Sequence, residues 1–322
     1  MATLTPLLLD DARRLGAAYG LDVASVRGIP AGSVNSNYAL TLGDGGRAFL
    51  RVYEEQQAAS AAGEARLLAD LEARGVKTPR PLALAGDEAG GFIAEHAGKP
   101  VAVFPWIEGD SLCQKRVTPD AVRKLGAALA EVHLAGDSFV GAPPSRFGEA
   151  QLASRLRRLE AIDLDAELAP VVARLGADLA LLASRPSVGE GLIHGDLFRD
   201  NVLWHEGEIS ALLDFESASI GSRPFDLMVT VLAWCFGDSF DRELARSLAG
   251  GYTARRPLPE DEAAALHAEG SFAVLRFSVT RITDFELRPR GSGMFRDYRR
   301  FLARRAALAE LGPRALRTLL GV

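Results

Sequence analysis

The chain has 322 residues, 48% of them hydrophobic, and a formal net charge of −5, a length that supports two lobes each with its own core. The near-balance of 37 Lys and Arg against 42 Asp and Glu excludes a nucleic-acid binder that works by bulk positive charge. Two cysteines, Cys113 and Cys235, and five scattered histidines exclude a disulfide framework and a paired-cysteine zinc site.

The opening stretch has only the apolar run Leu7-Leu8-Leu9, followed at once by Asp10 and Asp11, which is too short for a secretion signal and lacks its basic lead-in. No window approaches the roughly 18 continuous apolar residues of a membrane helix. The expectation is a soluble cytoplasmic protein, monomeric or homodimeric, with neither a membrane nor a nucleic acid as partner. The cations are unevenly divided: lysine occurs only at Lys77, Lys99, Lys115 and Lys124, and all others are arginine.

Residues 24–29 and 38–42 read as short strands around the polar stretch Ala31-Gly32-Ser33-Val34-Asn35-Ser36-Asn37. Gly43-Asp44-Gly45-Gly46 is a hairpin turn, and residues 48–53 form its returning strand. A helix is predicted over 56–74, stopped by Gly75. A second hairpin is expected from Leu82-Ala83-Leu84 through Gly90-Gly91 to Phe92-Ile93-Ala94, then a buried strand at 101–104. Thr118-Pro119-Asp120 combines an N-cap, a first-turn proline and an acid, opening a helix to about Leu134. More helix follows over 152–182, then a compact loop and hairpin at 192–215, then helices to the end. The outline is α+β, with a small sheet-rich lobe over 1–104 and a larger, mostly helical lobe over 105–322.

The chemistry-bearing stretch is His194-Gly195-Asp196-Leu197-Phe198-Arg199-Asp200-Asn201, followed by a tight hairpin that ends at Asp214-Phe215. Such a hairpin sets Asn201, at its start, beside Asp214, at its finish, with Asp196 on the loop leading in. An Asp, an Asn and a second Asp converging in this way suit phosphoryl transfer with magnesium. Asn201 and Asp214 supply hard oxygens for Mg²⁺, and Asp196 accepts the proton of an attacking hydroxyl. The spacing matches the kinase catalytic loop H-R-D-x-x-x-x-N, with Gly195 in place of Arg. His194 alone reads equally as a loop histidine; the joint pattern carries the argument.

These residues, with Leu212-Leu213-Asp214-Phe215-Glu216 and Ile220-Gly221-Ser222-Arg223-Pro224-Phe225-Asp226-Leu227, resemble the aminoglycoside phosphotransferase and choline kinase superfamily of protein-kinase-like enzymes. Three further stretches, Gly32 to Tyr38, Ala233-Trp234-Cys235-Phe236 and Leu275 to Arg281, are most similar to the bacterial homoserine kinases of that fold. The resemblance spans nearly the whole chain. It implies a two-lobed protein-kinase-like fold, ATP and Mg²⁺ as cofactors, and a small-molecule hydroxyl as acceptor, L-homoserine first. An aminoglycoside, choline, methylthioribose or hydroxylated amino acid is the alternative, and a nucleotide-binding pseudoenzyme the third reading. It further implies that Asp226 braces the catalytic loop, that His194 supports it, and that adenine lies near the hinge containing Phe104 and Trp106.

Two features depart from the kinase pattern. Instead of G-x-G-x-x-G, the phosphate-covering turn carries Ser33, Asn35, Ser36 and Asn37, whose hydroxyls and amides stand in for backbone donors or simply form a polar tip. The strand lysine is replaced by Arg51, a planar, forked cation. Glu64 is its natural partner, since it shares one helix face with Leu67, Leu68 and Leu71; the alternative leaves Glu64 in solvent. On the acceptor side Arg276, Arg281 and Trp234 are candidates. Arg281 and Asp284 also read as an intrahelical pair, and Trp234 as core.

Overall fold

The computed structural model describes residues 5–30, 34–87, 90–287 and 296–322, and divides into two compact units with the boundary between Glu108 and Gly109. The strand predicted to end at residue 104 continues through Pro105. None of the helices among the described residues is long and apolar enough to cross a membrane.

The first unit is built on a five-stranded antiparallel sheet of order β1-β2-β3-β5-β4. The strands are β1 (Val23–Gly28), β2 (Ser36–Leu42), β3 (Arg47–Val52), β4 (Ala94–His96) and β5 (Lys99–Pro105), with helices α1 (Leu9–Ala18) and α2 (Ala58–Ala73). Successive strand side chains alternate between faces. Ala48, Leu50 and Val52 therefore enter the core with Leu40, Val101, Val103 and the α1 residues Ala12 and Leu15, while Phe49 and Arg51 point to the other face. Helix α1 was not foreseen, because Leu7, Ala12 and Leu15 form a stripe that only the sheet completes. The expected 82–94 hairpin is not a strand pair. Leu84 N donates to Gly91 O at 2.8 Å, but Leu82 N turns to Val103 O on β5, and strand geometry begins only at Ala94.

The second unit contains α3 (Pro119–Gly136), α4 (Glu149–Glu160), α5 (Leu168–Leu182), β6 (Glu190–Ile193), β7 (Val202–His205), β8 (Glu208–Leu212), β9 (Ser219–Ser222), α6 (Arg223–Trp234), α7 (Arg242–Arg255), α8 (Glu260–Arg281) and α9 (Arg299–Leu320). The Thr118 side chain caps α3 by accepting from Ala121 N at 3.2 Å. Helices α3 and α7 touch backbone to backbone: a Cβ on Gly126 would stand 2.0 Å from Leu248 O, and one on Gly251 2.0 Å from Arg123 O. That approach brings His133 of α3 against Tyr252 of α7. Helix α6 is buried from Pro224 to Trp234, at about 1.5–3 kcal/mol for each large apolar side chain. It thereby holds Asp226 and Trp234 behind the loop that follows β6.

Candidate active site

The loop that follows β6 is held by side chains reaching it from α6, α8 and the start of the β7–β8 hairpin. Asp226, fully buried, accepts from His194 N and Gly195 N, both at 2.7 Å. Arg276 Nη1 donates to Gly195 O, Asn201 Nδ2 to Asp196 O at 2.8 Å, and Trp234 Nε1 to Leu197 O at 2.9 Å. His194 Nδ1 accepts from Asp196 N at 3.2 Å, so its Nε2 carries the proton donated to Leu213 O at 3.0 Å. A buried backbone whose polar groups are all claimed by fixed partners has little freedom to move. Gly195 has φ +76°, and a Cβ there would sit 3.0 Å from Ser217 O, which explains glycine between the histidine and the aspartate.

The β7–β8 hairpin turns at Glu206 and Gly207, with φ +48° and +81°, the geometry of a tight primed turn. Its register pairs Val202 with Leu212, and Leu213 N donates to Asn201 O at 2.8 Å, so Asn201 and Asp214 flank the same end, as the spacing predicted. Asp214 takes the left-handed conformation, φ 63° and ψ 65°, which aspartate adopts more readily than most residues and which turns the chain from β8 towards Phe215. The Phe215 ring packs on His194 at 4.5 Å between centroids.

Electrostatics single out Asp196. Burial pushes its carboxyl up to about 7; Arg276 opposes that rise and the Asp214 charge adds to it. Asp226 moves the other way: burial alone would raise it, but the His133 hydrogen bond and the Gly195 N–H hold it below the usual carboxylate range. His133 and His194 are both wholly buried, and that burial lowers them below the ordinary imidazole value. His133 Nε2 therefore donates to Asp226 Oδ2 at 3.0 Å as a neutral ring, and its Nδ1 accepts from Tyr252 Oη at 2.8 Å. Arg256 donates to Tyr252 Oη at 3.1 Å and pairs bidentately with Glu262 at 2.7 and 2.6 Å.

In the first unit, Arg51 Nη1 lies 3.9 Å from Glu64 Oε1, and Gln56 Nε2 donates to Glu64 Oε2 at 3.0 Å. Glu64 is buried with Leu67, Leu68 and Leu71, not in solvent. The register pairs Arg51 with Asn37 across β2 and β3, on the face that also bears Phe49 and Tyr53, each 5.9 Å from the guanidinium. Asn35 is buried and its Oδ1 accepts from Glu54 N at 3.2 Å; Ser33 lies outside the described residues. Phe104 is buried with its ring 6.0 Å from Phe49, and Trp106 lies 3.6 Å beneath the Arg47 guanidinium. Lys99 is tied to Glu54, and Lys124 to Asp120 and Glu208.

The model of the phosphotransferase enzyme family matches residues 25–258. The chain belongs to that family. It is 36% identical over 300 residues to a homoserine kinase of Phenylobacterium zucineum, covering 91% of this chain and 90% of that one. A homoserine kinase of Methylocella silvestris is 35% identical over 277 residues, covering 84% of each. Among solved structures, an amicoumacin kinase in complex with AMP-PNP, Ca²⁺ and Ami superposes with a TM-score of 0.69 at 19% identity, over 94% of this chain and 92% of that one. The likeness at that identity is one of fold.

Within this phosphotransferase the acceptor-side candidates separate. Trp234 is wholly buried, so it does not wall a pocket; it holds Leu197 O. Arg276 is 4% exposed, and its guanidinium is caged by Phe147 at 4.1 Å and Phe277 at 4.5 Å, so it is not placed to meet an acceptor carboxylate. Arg281 does not pair with Asp284, whose carboxylate is bound by Arg155 at 2.5 Å. The residues that the sequence did not reveal are His133, Tyr252, Arg256 and Glu262. Tyr252, Arg256 and Glu262 are near neighbours in the chain, but His133, which joins them to Asp226, is 119 residues from Tyr252, and no local spacing marks the four as a relay.

Proposed function

We propose that this protein is an ATP-dependent kinase that phosphorylates the side-chain hydroxyl of L-homoserine, yielding ADP and O-phospho-L-homoserine for threonine biosynthesis. What carries the reading is the fixed loop that sets the Asp196 carboxyl beside Asn201, at the end of the hairpin that Asp214 closes. The homoserine kinases at 36% and 35% identity support the acceptor, and the AMP-PNP in the amicoumacin kinase supports the nucleotide.

The donor set fits magnesium. Asn201 turns its amide nitrogen to Asp196 O, leaving Oδ1 as its other end, and Asp214 adds a half-buried carboxylate. Among the described residues no group of three His, Cys, Asp or Glu forms an all-protein cage, in keeping with an ion that takes one or two protein oxygens and completes its shell with phosphates and water. Magnesium held there would neutralise charge on the phosphates during transfer.

Asp196 orients the acceptor hydroxyl and takes its proton as the oxygen–phosphorus bond forms and the bond to ADP breaks. Asp226, Arg276, Trp234 and Asn201 keep that carboxyl in position through the loop backbone. Arg51, braced by Glu64, steadies the nucleotide phosphates with Asn35, Asn37 and Ser33, and Phe104 and Trp106 belong to the adenine end. ADP release measured on a panel of hydroxyl acceptors at equal Mg-ATP tests the reading. Homoserine should turn over, and Asp196→Asn should lower kcat by roughly 10²–10⁴-fold. No rate with homoserine above buffer, while another acceptor is phosphorylated, would overturn the acceptor assignment.

A further inference from the structure

Arg281 closes α8 one helical turn beyond Phe277. Phe277 meets Phe198 of the catalytic loop edge-on at 4.9 Å and stacks on Phe301 of α9 at 5.0 Å. The Arg281 guanidinium lies 4.4 Å over that same Phe301 ring. A continuous aromatic layer therefore carries Arg281 beside the loop that bears Asp196.

Among the described residues its charge has no counter-ion in contact. Among the described residues the one hydrogen bond of Arg281 is Nη1 to Asp297 O at 2.9 Å, and no carboxylate lies in ion-pair range. Asp284, three residues on, is taken by Arg155 and Thr283. Burial lowers its pKa most; Arg296 and Arg300 press it down further, while the more distant carboxylates of Asp196 and Asp297 pull the other way. Arg296 is itself bound to Asp200 at 2.7 Å, and its Nε is buried without a hydrogen-bond partner. Crowded, half-buried guanidiniums of one sign are costly unless an anion joins them.

The helix geometry changes at the same point. Immediately after Arg281 the chain forms a π-helical turn, Ile282–Glu286, a feature that concentrates at functional sites. Arg155 pins it through Asp284 at 2.5 Å.

We infer that Arg281 is the residue that binds the carboxylate of the acceptor, with Arg296 at its side, fixing a small hydroxylated amino acid so that its hydroxyl reaches Asp196. This rests on the homoserine reading and narrows it, because a polycationic aminoglycoside would be repelled by the same guanidiniums. Arg276, by contrast, is a positioning residue for the loop.

The test compares homoserine with homoserinol, which keeps the amine and the reacting hydroxyl but carries CH₂OH in place of the carboxylate. The wild-type enzyme should prefer homoserine in kcat/KM, and Arg281→Met should lose about 100-fold on homoserine, mainly through KM. The same variant should change little on homoserinol, so the preference collapses, and the KM for ATP should hold. Arg281→Lys, which keeps the charge but not the fork, should fall in between and guards against a folding artefact. Equal losses on both acceptors, or none, would overturn the inference while leaving the kinase reading intact. If homoserine is not turned over at all, the homoserine reading fails separately. The acceptor that is turned over then decides: one without a carboxylate sinks the role of Arg281, and one with a carboxylate should show the same collapse against its alcohol.

Discussion

The loop bearing Asp196 and the strand bearing Arg51 are held by different means. The loop has no regular ladder of its own, so its backbone groups are bound by Asp226, Arg276, Asn201 and Trp234, side chains from α6, α8 and the hairpin. Arg51 needs no such brace for its backbone, since β3 pairs on both sides with β2 and β5, and only its long side chain is steered, by Glu64 at 3.9 Å. Proton acceptance demands placement to a fraction of an ångström, whereas steadying a phosphate tolerates a flexible cation. The cost of precision is the wholly buried cluster of Asp226, His133 and His194 behind the loop.

The largest effect should come from Asp226→Asn. It removes the charge that accepts from His194 N, Gly195 N and His133, so a stability loss of about 3–5 kcal/mol in denaturant titrations is expected, together with a fall in kcat. A variant as stable as the wild type would show that the loop is held by something other than this carboxylate. Next comes Arg276→Met, which should lower kcat roughly tenfold or more with the homoserine KM little changed. Because Arg276 holds the Asp196 carboxyl down, the acidic limb of the rate profile should also move to higher pH. A change confined to KM would mean that Arg276 meets the acceptor after all.

On the other side of the comparison, Arg51→Ala should reduce kcat/KM for ATP by roughly tenfold, with the melting temperature near that of the wild type. An unchanged KM and kcat would remove Arg51 from the site. The smallest effect is a pH dependence of stability. His133 and His194 have their pKa values lowered in the fold, so the unfolded chain takes up protons first, below about 6.5. Their contribution is therefore complete above that pH and is lost as pH falls beneath it, by up to about 1.4 kcal/mol per histidine per pH unit. Thermal melts between pH 7.5 and 5.5 should show the decline; a flat profile would mean that these rings are not held neutral.

Much of the site was legible because it is local. Eight consecutive residues from His194 to Asn201, a tight turn and Asp214 lie within one stretch, and hairpin geometry alone brings the ends together. The period of two along β3 and the helical spacing of Glu64, Leu67, Leu68 and Leu71 likewise sufficed to pair Arg51 with Glu64. Trp234 and Arg276 were left open for the opposite reason. Each is a residue that can serve a pocket or a core, and the choice depends on which loop packs against it, 37 residues away for Trp234 and 81 for Arg276.

The near-balanced charge and the scarcity of lysine acquire their meaning from the same distinction. The sequence by itself determined that no lysine occupies β3, that its cations are Arg47 and Arg51, and that Asp196, Asn201 and Asp214 lie on one hairpin and the loop leading into it, since these follow from chain order and short-range geometry. Only the tertiary structure decided which of the many arginines are bound to carbonyls and carboxylates and which retain free donors. Arg276 is bound to Gly195 O, and Arg256 to Glu262, 6 residues away in sequence, and to Tyr252 one turn before it, which in turn meets a histidine from α3. Among the described residues Arg281 has a backbone carbonyl as its partner and no carboxylate in ion-pair range. Burial and distant partners, not residue type, set what each guanidinium can do.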